Sequence, residues 1–274
     1  MGTSLAEIQW FPGRERRKER RQASAELYPE LSLNLENPLA RILVLPTSAE
    51  FQKGAGADGS GESFAIRVAP RVPFVLNEDW HLISKTDVAW VWQDDVAGPG
   101  QQDGLSDLVQ TFFLSPERSL DWDVHWGIGP SFIIPTATHD SLGTRKFSIG
   151  PSLSIFRQRD EWTTSLTLNH SWSVAGSDSA PHVSLTTIRP VLAYIAPSST
   201  TIALGADLSY DWNNEVWRGP VSLRLSQLTI LGKRPIQWGI GFEYFPMDDD
   251  PNEADWGALF QISVPFEAPD WGRR

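Results

Sequence analysis

Cysteine is absent from the 274-residue chain, which excludes a disulfide framework, a thiolate nucleophile and a cysteine-ligated metal site. Long apolar runs are also missing, and no stretch approaches the roughly eighteen residues that a membrane-spanning helix needs. Basic residues are in the minority, because 23 Lys and Arg accompany 34 Asp and Glu. The resulting formal charge of -11 argues against a nucleic-acid partner.

Residues 121–156 carry the clearest pattern in the sequence. Apolar residues occupy every second position in two runs, and small or polar residues lie between them. A period of two places the two sets on opposite faces of a sheet. The apolar set is Trp122, Val124, Trp126, Ile128, Pro130, Phe132 and Ile134, followed by Phe147, Ile149, Pro151, Leu153 and Ile155.

The length of these runs indicates a membrane β-barrel. Strands of soluble proteins usually have about five or six residues, whereas a tilted strand needs about nine to eleven to cross a bilayer. One face is apolar and the other is small and polar, as expected for lipid outside and a lumen inside. A hydrophobic content of 41%, below the roughly 45–50% of globular chains, agrees with a polar inner wall.

The alternation extends from Leu43 to Phe266 and predicts an all-β fold. This fold is a transmembrane antiparallel up-and-down β-barrel of about 12 strands with a polar lumen, an even number as in bacterial single-chain barrels. Long connections such as 93–104 and 135–145 alternate with short ones such as 116–119, as outer loops and periplasmic turns do. Before the first strand, Asn37 and Pro38 fit the start of a short helix.

Many of the 13 tryptophans lie at predicted strand ends. Indole rings favour the membrane interface, because they are apolar in body and carry one polar N–H. Two interfacial rings, an aromatic girdle, are therefore expected. Trp80, Trp122 and Trp162 begin strands after short turns, and Trp92, Trp172, Trp212, Trp217 and Trp256 lie beside long loops.

Charged residues on the polar parity are the candidate lumen residues. Arg189, Asp207, Arg224 and Glu243 come from four neighbouring strands with alternating sign, and we expect them to form a cross-strand ladder of opposite charges. Structural ion pairs and solute selection are both open interpretations. The full set of lumen-facing candidates is Arg67, Arg71, Lys85, Asp87, Asp123, Arg189, Asp207, Asp211, Arg224 and Glu243.

The two ends of the chain do not share the alternating pattern. Residues 1–30 lack the apolar core of a signal peptide and carry a mainly basic run, so we expect a disordered or misassigned leader. Residues 31–268 form the predicted barrel, and 269–274 form a C-terminal tail. Residues 255–262 resemble the barrel-assembly signal of outer-membrane proteins, which names the assembly machinery as an expected partner.

Four short motifs suggest chemistry, and each has a simpler interpretation. Residues 54–59 match the dinucleotide glycine fingerprint but lack a following helix, which favours a flexible loop. His139 and Ser141 lack an evident third partner, whereas His170 and Ser171 point to opposite faces of a strand. The acidic run 248–253 lacks the EF-hand spacing and fits a solvated loop. We therefore expect no catalytic residues, no metal site and no cofactor.

Several segments together resemble a family of bacterial outer-membrane proteins that is variously labelled transporter, neuromedin-U-like or phenol meta-pathway outer-membrane protein. The resemblance covers residues 33–266 and implies a barrel that passes small, including hydrophobic or aromatic, solutes. It is carried by Asn37-Pro38-Leu39-Ala40, Val72-Pro73-Phe74, Leu76-Asn77-Glu78-Asp79-Trp80, Gly129-Pro130-Ser131-Phe132, Pro135-Thr136-Ala137-Thr138, Gly150-Pro151-Ser152, Asn169-His170-Ser171-Trp172 and Tyr210-Asp211-Trp212.

Together these observations predict a porin-like, non-enzymatic channel or transporter in the outer membrane of a Gram-negative bacterium. Two alternatives stay open, an outer-membrane-embedded hydrolase and a structural barrel without flux. The expected partners are outer-membrane lipid and lipopolysaccharide, the barrel-assembly machinery and a small-molecule solute, with no nucleic acid.

Overall fold

The computed structural model describes residues 30–232, 234–247 and 252–266. The predicted leader therefore lies outside the described residues except for Glu30, and the predicted C-terminal tail lies outside them entirely. In the described part of the chain, no helix combines the length and the hydropathy required to span a bilayer.

Strands account for most of the described chain. A helix over residues 30–36 precedes them, and two short 3-10 turns, Asp121–Asp123 and Asp140–Leu142, lie in connections. The strand segments are β1 Leu43–Ala55, β2 Gly61–Val68, β3 Arg71–Val75, β4 Trp80–Asp94, β5 Gln101–Leu105, β6 Leu108–Pro116, β7 Val124–Ile134, β8 Lys146–Arg159, β9 Trp162–Gly176, β10 Ser184–Ile195, β11 Thr200–Ala206, β12 Leu208–Asp211, β13 Val216–Arg218, β14 Val221–Leu231, β15 Arg234–Tyr244 and β16 Trp256–Phe266.

These segments form a closed antiparallel barrel of 12 strands, as predicted. Four barrel strands are each interrupted once, so that β2 continues into β3, β5 into β6, β11 into β12 and β13 into β14. The barrel closes where β1 pairs with β16, from Leu43 opposite Phe266 to Lys53 opposite Trp256. Closure removes the free edge that an open sheet would present.

The two faces of the wall differ as the alternation predicts. On β15, the side chains of Trp238, Ile240 and Phe242 are exposed on the outside, whereas Gln237 on the inside is buried. Exposed aliphatic and aromatic side chains recur on strands around the barrel. An apolar surface of this extent far exceeds what a water-soluble monomer exposes, and lipid is the environment that accommodates it.

The structure corrects three local expectations. Trp122 does not begin a strand, because it lies in the turn Asp121–Asp123 with φ +64° and its side chain is 81% exposed. The connection 117–123 is longer than the outer connection 95–100, so loop length does not alternate regularly. Asn37 ends a helix instead of opening one, because its N–H donates to the Leu33 carbonyl at 3.1 Å.

Phe260 on the closing strand offers a test of the outward face. Its ring is 44% exposed on the outside of β16, and loss of its burial in lipid corresponds to about 2 kcal/mol. We expect Phe260→Asp to insert poorly, with a reduced heat-modifiable barrel band on gels. Gln261→Asp, at the next position on the inner face, is the matched control and should fold normally. Equal band intensities for the two variants would contradict this orientation of β16.

Candidate functional site in the barrel lumen

Residues 30–42, which we call the plug segment, lie inside the end of the barrel where β1 begins. Leu31, Ala40 and Ile42 are buried and pack with Val44 of β1 and Leu228 of β14. The spacing of Leu31 and Leu35 places both side chains on one face of the helix, and Leu35 packs against the same cluster. The plug segment therefore fills this end of the lumen with an apolar contact.

Leu39 anchors the plug segment to a second part of the wall. Its side chain forms a buried cluster with Ile83 and Phe113. Gly127 leaves room for it, because a Cβ atom at that position would come within 2.8 Å of Leu39 Cδ2. The Leu39 carbonyl also lies 3.3 Å from Nε2 of the buried His81.

Arg71 fixes the end of the plug helix. The last carbonyls of a helix have no partners within the helix. Arg71 Nη1 donates to the Asn37 carbonyl at 2.6 Å, and Nη2 donates to the Leu35 carbonyl at 3.4 Å and that of Asn34 at 3.5 Å. A cation is also favoured at this end by the helix dipole. Arg71 therefore faces the lumen, and its bonds are to the backbone of the plug segment.

A second lumen arginine joins two neighbouring strands. Arg67 Nε donates to Glu50 Oε1 at 3.2 Å, and its Nη1 donates to Asp87 Oδ1 at 2.6 Å. All three side chains lie on the inner face, since Arg67 is opposite Ser48 on β1 and Ala89 on β4. The Arg67 side chain is still 41% exposed, so this triad borders accessible space inside the barrel.

On the other side of the lumen, Arg189 of β10 and Asp207 face each other. Arg189 Nε donates to Asp207 Oδ2 at 2.8 Å, and the Asp207 side chain is 51% exposed. In the amide orientation that satisfies its bonds, Asn169 accepts from Arg189 Nη1 at 3.2 Å. Lys85 of β4 interacts electrostatically with both Arg189 and Asp207. Charges from opposite walls therefore meet across a narrow lumen.

The expected ladder of four alternating charges does not form. The register places Arg224 opposite Ala203 and Gly241, and its Nη1 donates to Gln261 Oε1 at 3.5 Å. Glu243 lies opposite Ser222 and Gly257 and accepts from Gln52 Nε2 at 3.5 Å. Only the Arg189–Asp207 pair of the proposed ladder is present. Alternation along a strand determines which face a side chain is on, whereas the pairing register between strands determines which residue lies opposite it.

The two remaining candidates lie at the ends of the barrel. Asp123 is in the 3-10 turn before β7 and is exposed, so the expectation that it faces the lumen is wrong. Asp211 ends β12, where its Oδ1 accepts from the Asn213 amide at 2.9 Å and its Oδ2 lies 4.0 Å from Arg218. These bonds organise a tight outer turn.

Sequence reasoning missed the acidic and amide partners of the lumen arginines. Glu50 and Gln52 lie on the inner parity of β1, and Gln261 lies on the inner parity of β16. A reading of the polar positions of the first and last strands would have found them. The plug segment also carried a signal, the four-residue spacing of Leu31, Leu35 and Leu39.

The short motifs do not assemble into a catalytic site among the described residues. Ser141 Oγ lies 2.8 Å from His139 Nδ1, but the same nitrogen also accepts from the Ser141 amide, which makes the contact a local turn cap. His170 Nδ1 lies 2.7 Å from Thr186 Oγ1 on the outer face, and Ser171 is buried on the inner face.

The glycine-rich residues 54–59 belong to the β1–β2 hairpin and no helix follows them. Hydrogen bonds from the hydroxyl and amide of Ser60 lower the pKa of Asp58, so the loop holds a carboxylate and is unsuited to a phosphate. No described cluster of His, Asp or Glu is arranged to hold a metal ion. Residues 248–251 of the acidic run lie outside the described residues.

The chain matches no protein-family model and no curated protein. Among solved structures it is similar to an outer membrane channel from Pseudomonas putida F1, with 10% identity, a TM-score of 0.65 and coverage of 82% of this chain and 95% of that one. The NanC porin (12% identity, TM-score 0.49) and outer membrane phospholipase A from Escherichia coli (10%, 0.48) also match, over 81% and 85% of this chain and 98% and 96% of theirs.

At this level of identity the Pseudomonas putida likeness extends to the fold. It confirms the architecture of an outer-membrane β-barrel, and with it the expected location in the bacterial outer membrane. The apolar outer surface described above agrees with that location independently.

Removal of Arg67 should destabilise the barrel, because Glu50 and Asp87 would lose their shared cation. Breaking a fully buried pair costs about 3–5 kcal/mol, and solvent access should reduce the cost of Arg67→Ala to about 1–3 kcal/mol. The exposed pair Lys53–Glu62 is the matched control, and Lys53→Ala should change stability by less than about 1 kcal/mol. Urea unfolding in lipid vesicles measures both, and equal midpoints would show that the Arg67 triad contributes nothing.

Proposed function

We propose that the barrel is a channel that carries small solutes across the bacterial outer membrane. The observation that carries this proposal is the accessibility of charged side chains inside a closed wall, above all Arg67 and Asp207. Ion pairs fully buried in the wall would be enough for a scaffold, whereas these charges stay accessible from the lumen. Ionic groups of both signs around a narrow passage suit the selection of small polar or amphipathic solutes.

The plug segment is the second element of the proposal. It packs against the inner wall through Leu31, Leu39 and Ile42, and three hydrogen bonds from Arg71 to its carbonyls also hold it there. In this proposal the plug segment blocks one end of the lumen and shifts when a solute passes. Removing one hydrogen bond between Arg71 and the plug segment should lower the free energy of that shift by roughly 1.5–3 kcal/mol, the value of a charge-assisted hydrogen bond.

The family and the class of solute are part of the same proposal. The sequence resemblance favours a distant member of the transporter family described above, with hydrophobic or aromatic compounds among its solutes. We further propose that the tryptophans beside the connections form interfacial rings in contact with lipid and lipopolysaccharide, and that the barrel-assembly machinery inserts the chain. Trp122 fits the same ring as Trp80 and Trp162, as an exposed indole on a turn.

We propose no enzymatic activity for this barrel. The His139–Ser141 contact closes a turn through one ring nitrogen, and Gln93 Nε2 donates to the same hydroxyl at 3.1 Å. A nucleophile needs a base whose second nitrogen is oriented by a third group, and no described residue supplies one. Release of fatty acid from phospholipid by the purified barrel, abolished in Ser141→Ala, would overturn this point.

Arg71→Ala tests the channel proposal directly. We expect the wild-type protein to conduct ions in planar bilayers, and the variant to show at least a several-fold higher open probability. The control is Arg157→Ala, because Arg157 also donates to a backbone carbonyl, that of Trp122 at 3.2 Å, but in a turn outside the lumen. Absence of conductance in the wild type and both variants would favour a structural barrel without flux.

Asp207→Asn tests whether the permeant ions pass the lumen charges. The substitution removes a negative charge from the accessible Arg189–Asp207 pair, so the reversal potential in a salt gradient should shift toward anion selectivity. Glu62→Gln, in the exposed outer pair with Lys53, removes the same charge outside the lumen and should shift it far less. Equal shifts for the two variants would place the ion path away from Asp207.

A further inference from the structure

The inner wall formed by β11, β14, β15 and β16 contains a niche that faces the plug helix. Glu36 at the end of that helix lines the niche together with residues of these four strands. Its polar lining residues are Arg224, Gln237, Gln261, Ser226 and Glu36, and its apolar ones include Ala203 and Leu259.

Two glycines on β15 make room for side chains that line the niche. Gly239 and Gly241 lie on the inner face, where neighbouring positions carry side chains that fill the lumen. A Cβ atom at Gly241 would come within 2.9 Å of Leu259 Cγ and 3.0 Å of Arg224 Cγ. One at Gly239 would lie 2.7 Å from Ser226 Cβ. The side chains of Arg224, Leu259 and Ser226 therefore pack directly over the glycine backbone of β15.

Arg224 differs from the other arginines that line the lumen. Arg67 and Arg189 have carboxylate partners, and Arg71 binds carbonyls. Arg224 takes part in no ion pair among the described residues, and its single hydrogen bond, to Gln261, is long at 3.5 Å. Its Nε is buried without a partner in the described chain. A buried guanidinium donor in this state gains free energy from any acceptor that reaches it.

We propose that the Arg224 niche is a solute subsite that binds the carboxylate of a small monocarboxylate with a compact apolar body. The proposal rests on the channel function and names its substrate class. A carboxylate matches the fork of guanidinium donors with two parallel hydrogen bonds. Leu259 and Ala203 provide an apolar surface for the body of the solute. Glu36 supplies a negative charge on the same niche and disfavours a second anionic group on the ligand.

The test uses hexanoate, the uncharged hexanamide of the same shape, and the dicarboxylate adipate. Isothermal titration of the folded full-length barrel in detergent should show hexanoate binding at least about tenfold tighter than hexanamide, the value of one charge-assisted hydrogen bond. Adipate should bind more weakly than hexanoate. Less than a twofold difference between hexanoate and hexanamide on the wild-type protein overturns the proposal.

Arg224→Gln should lower hexanoate affinity about tenfold and leave hexanamide affinity unchanged, whereas Arg224→Lys should retain part of the preference for the acid. Arg145→Gln, at an exposed outer-loop position paired with Asp140, removes the same charge and should retain full hexanoate binding. Equal losses in Arg224→Gln and Arg145→Gln would overturn the proposal, because only net charge would then matter.

Vesicle flux separates this proposal from the channel proposal. Hexanoate binding without hexanoate entry into proteoliposomes would leave the subsite intact and contradict the channel function. Flux of both hexanoate and hexanamide at equal rates, without preferential binding, would leave the channel function intact and contradict the subsite.

Discussion

Backbone hydrogen bonding in lipid is the constraint on which the rest of this structure depends. An unpaired N–H or C=O in hydrocarbon costs several kcal/mol, so a sheet can cross a bilayer only when it closes on itself. The pairing of β1 with β16 completes that closure over the whole length from Leu43 to Lys53. Once the wall is closed, each strand must present alternate side chains to lipid and to the lumen.

A wall of 12 strands leaves a lumen narrow enough for side chains to meet across it. Lys85 interacts with the pair formed by Arg189 and Asp207, and Arg67 is held between Glu50 and Asp87. The carboxylates stabilise the neighbouring cations in this passage, whereas Lys85 and Arg189 repel each other. Arg224 is the exception, because it has no carboxylate partner among the described residues and its side chain packs over Gly241.

The plug segment is held by both apolar packing and polar hydrogen bonds. Its apolar residues Leu31 and Ile42 extend the small interior core, and its polar backbone end is bound by Arg71. Apolar packing and the Arg71 hydrogen bonds together hold the plug segment in place, and loss of the hydrogen bonds alone should let it move. Glu36, at the end of the same helix, also lines the niche at Arg224, so the plug and the proposed subsite share a boundary.

Local alternation was enough to predict the fold class, the strand count and the face of most residues, because a period of two is a property of each strand alone. It placed Arg189 and Asp207 on the inner wall, and it failed at Trp122 and Asp123, which lie in a 3-10 turn before the strand begins.

Tertiary structure alone decided the partners. Register brings Asp207 to Arg189 but sets Arg224 against Ala203 and Gly241, and closure brings Lys85 across the lumen to Arg189. Register and closure depend on every strand at once, so no single segment of the sequence contains them.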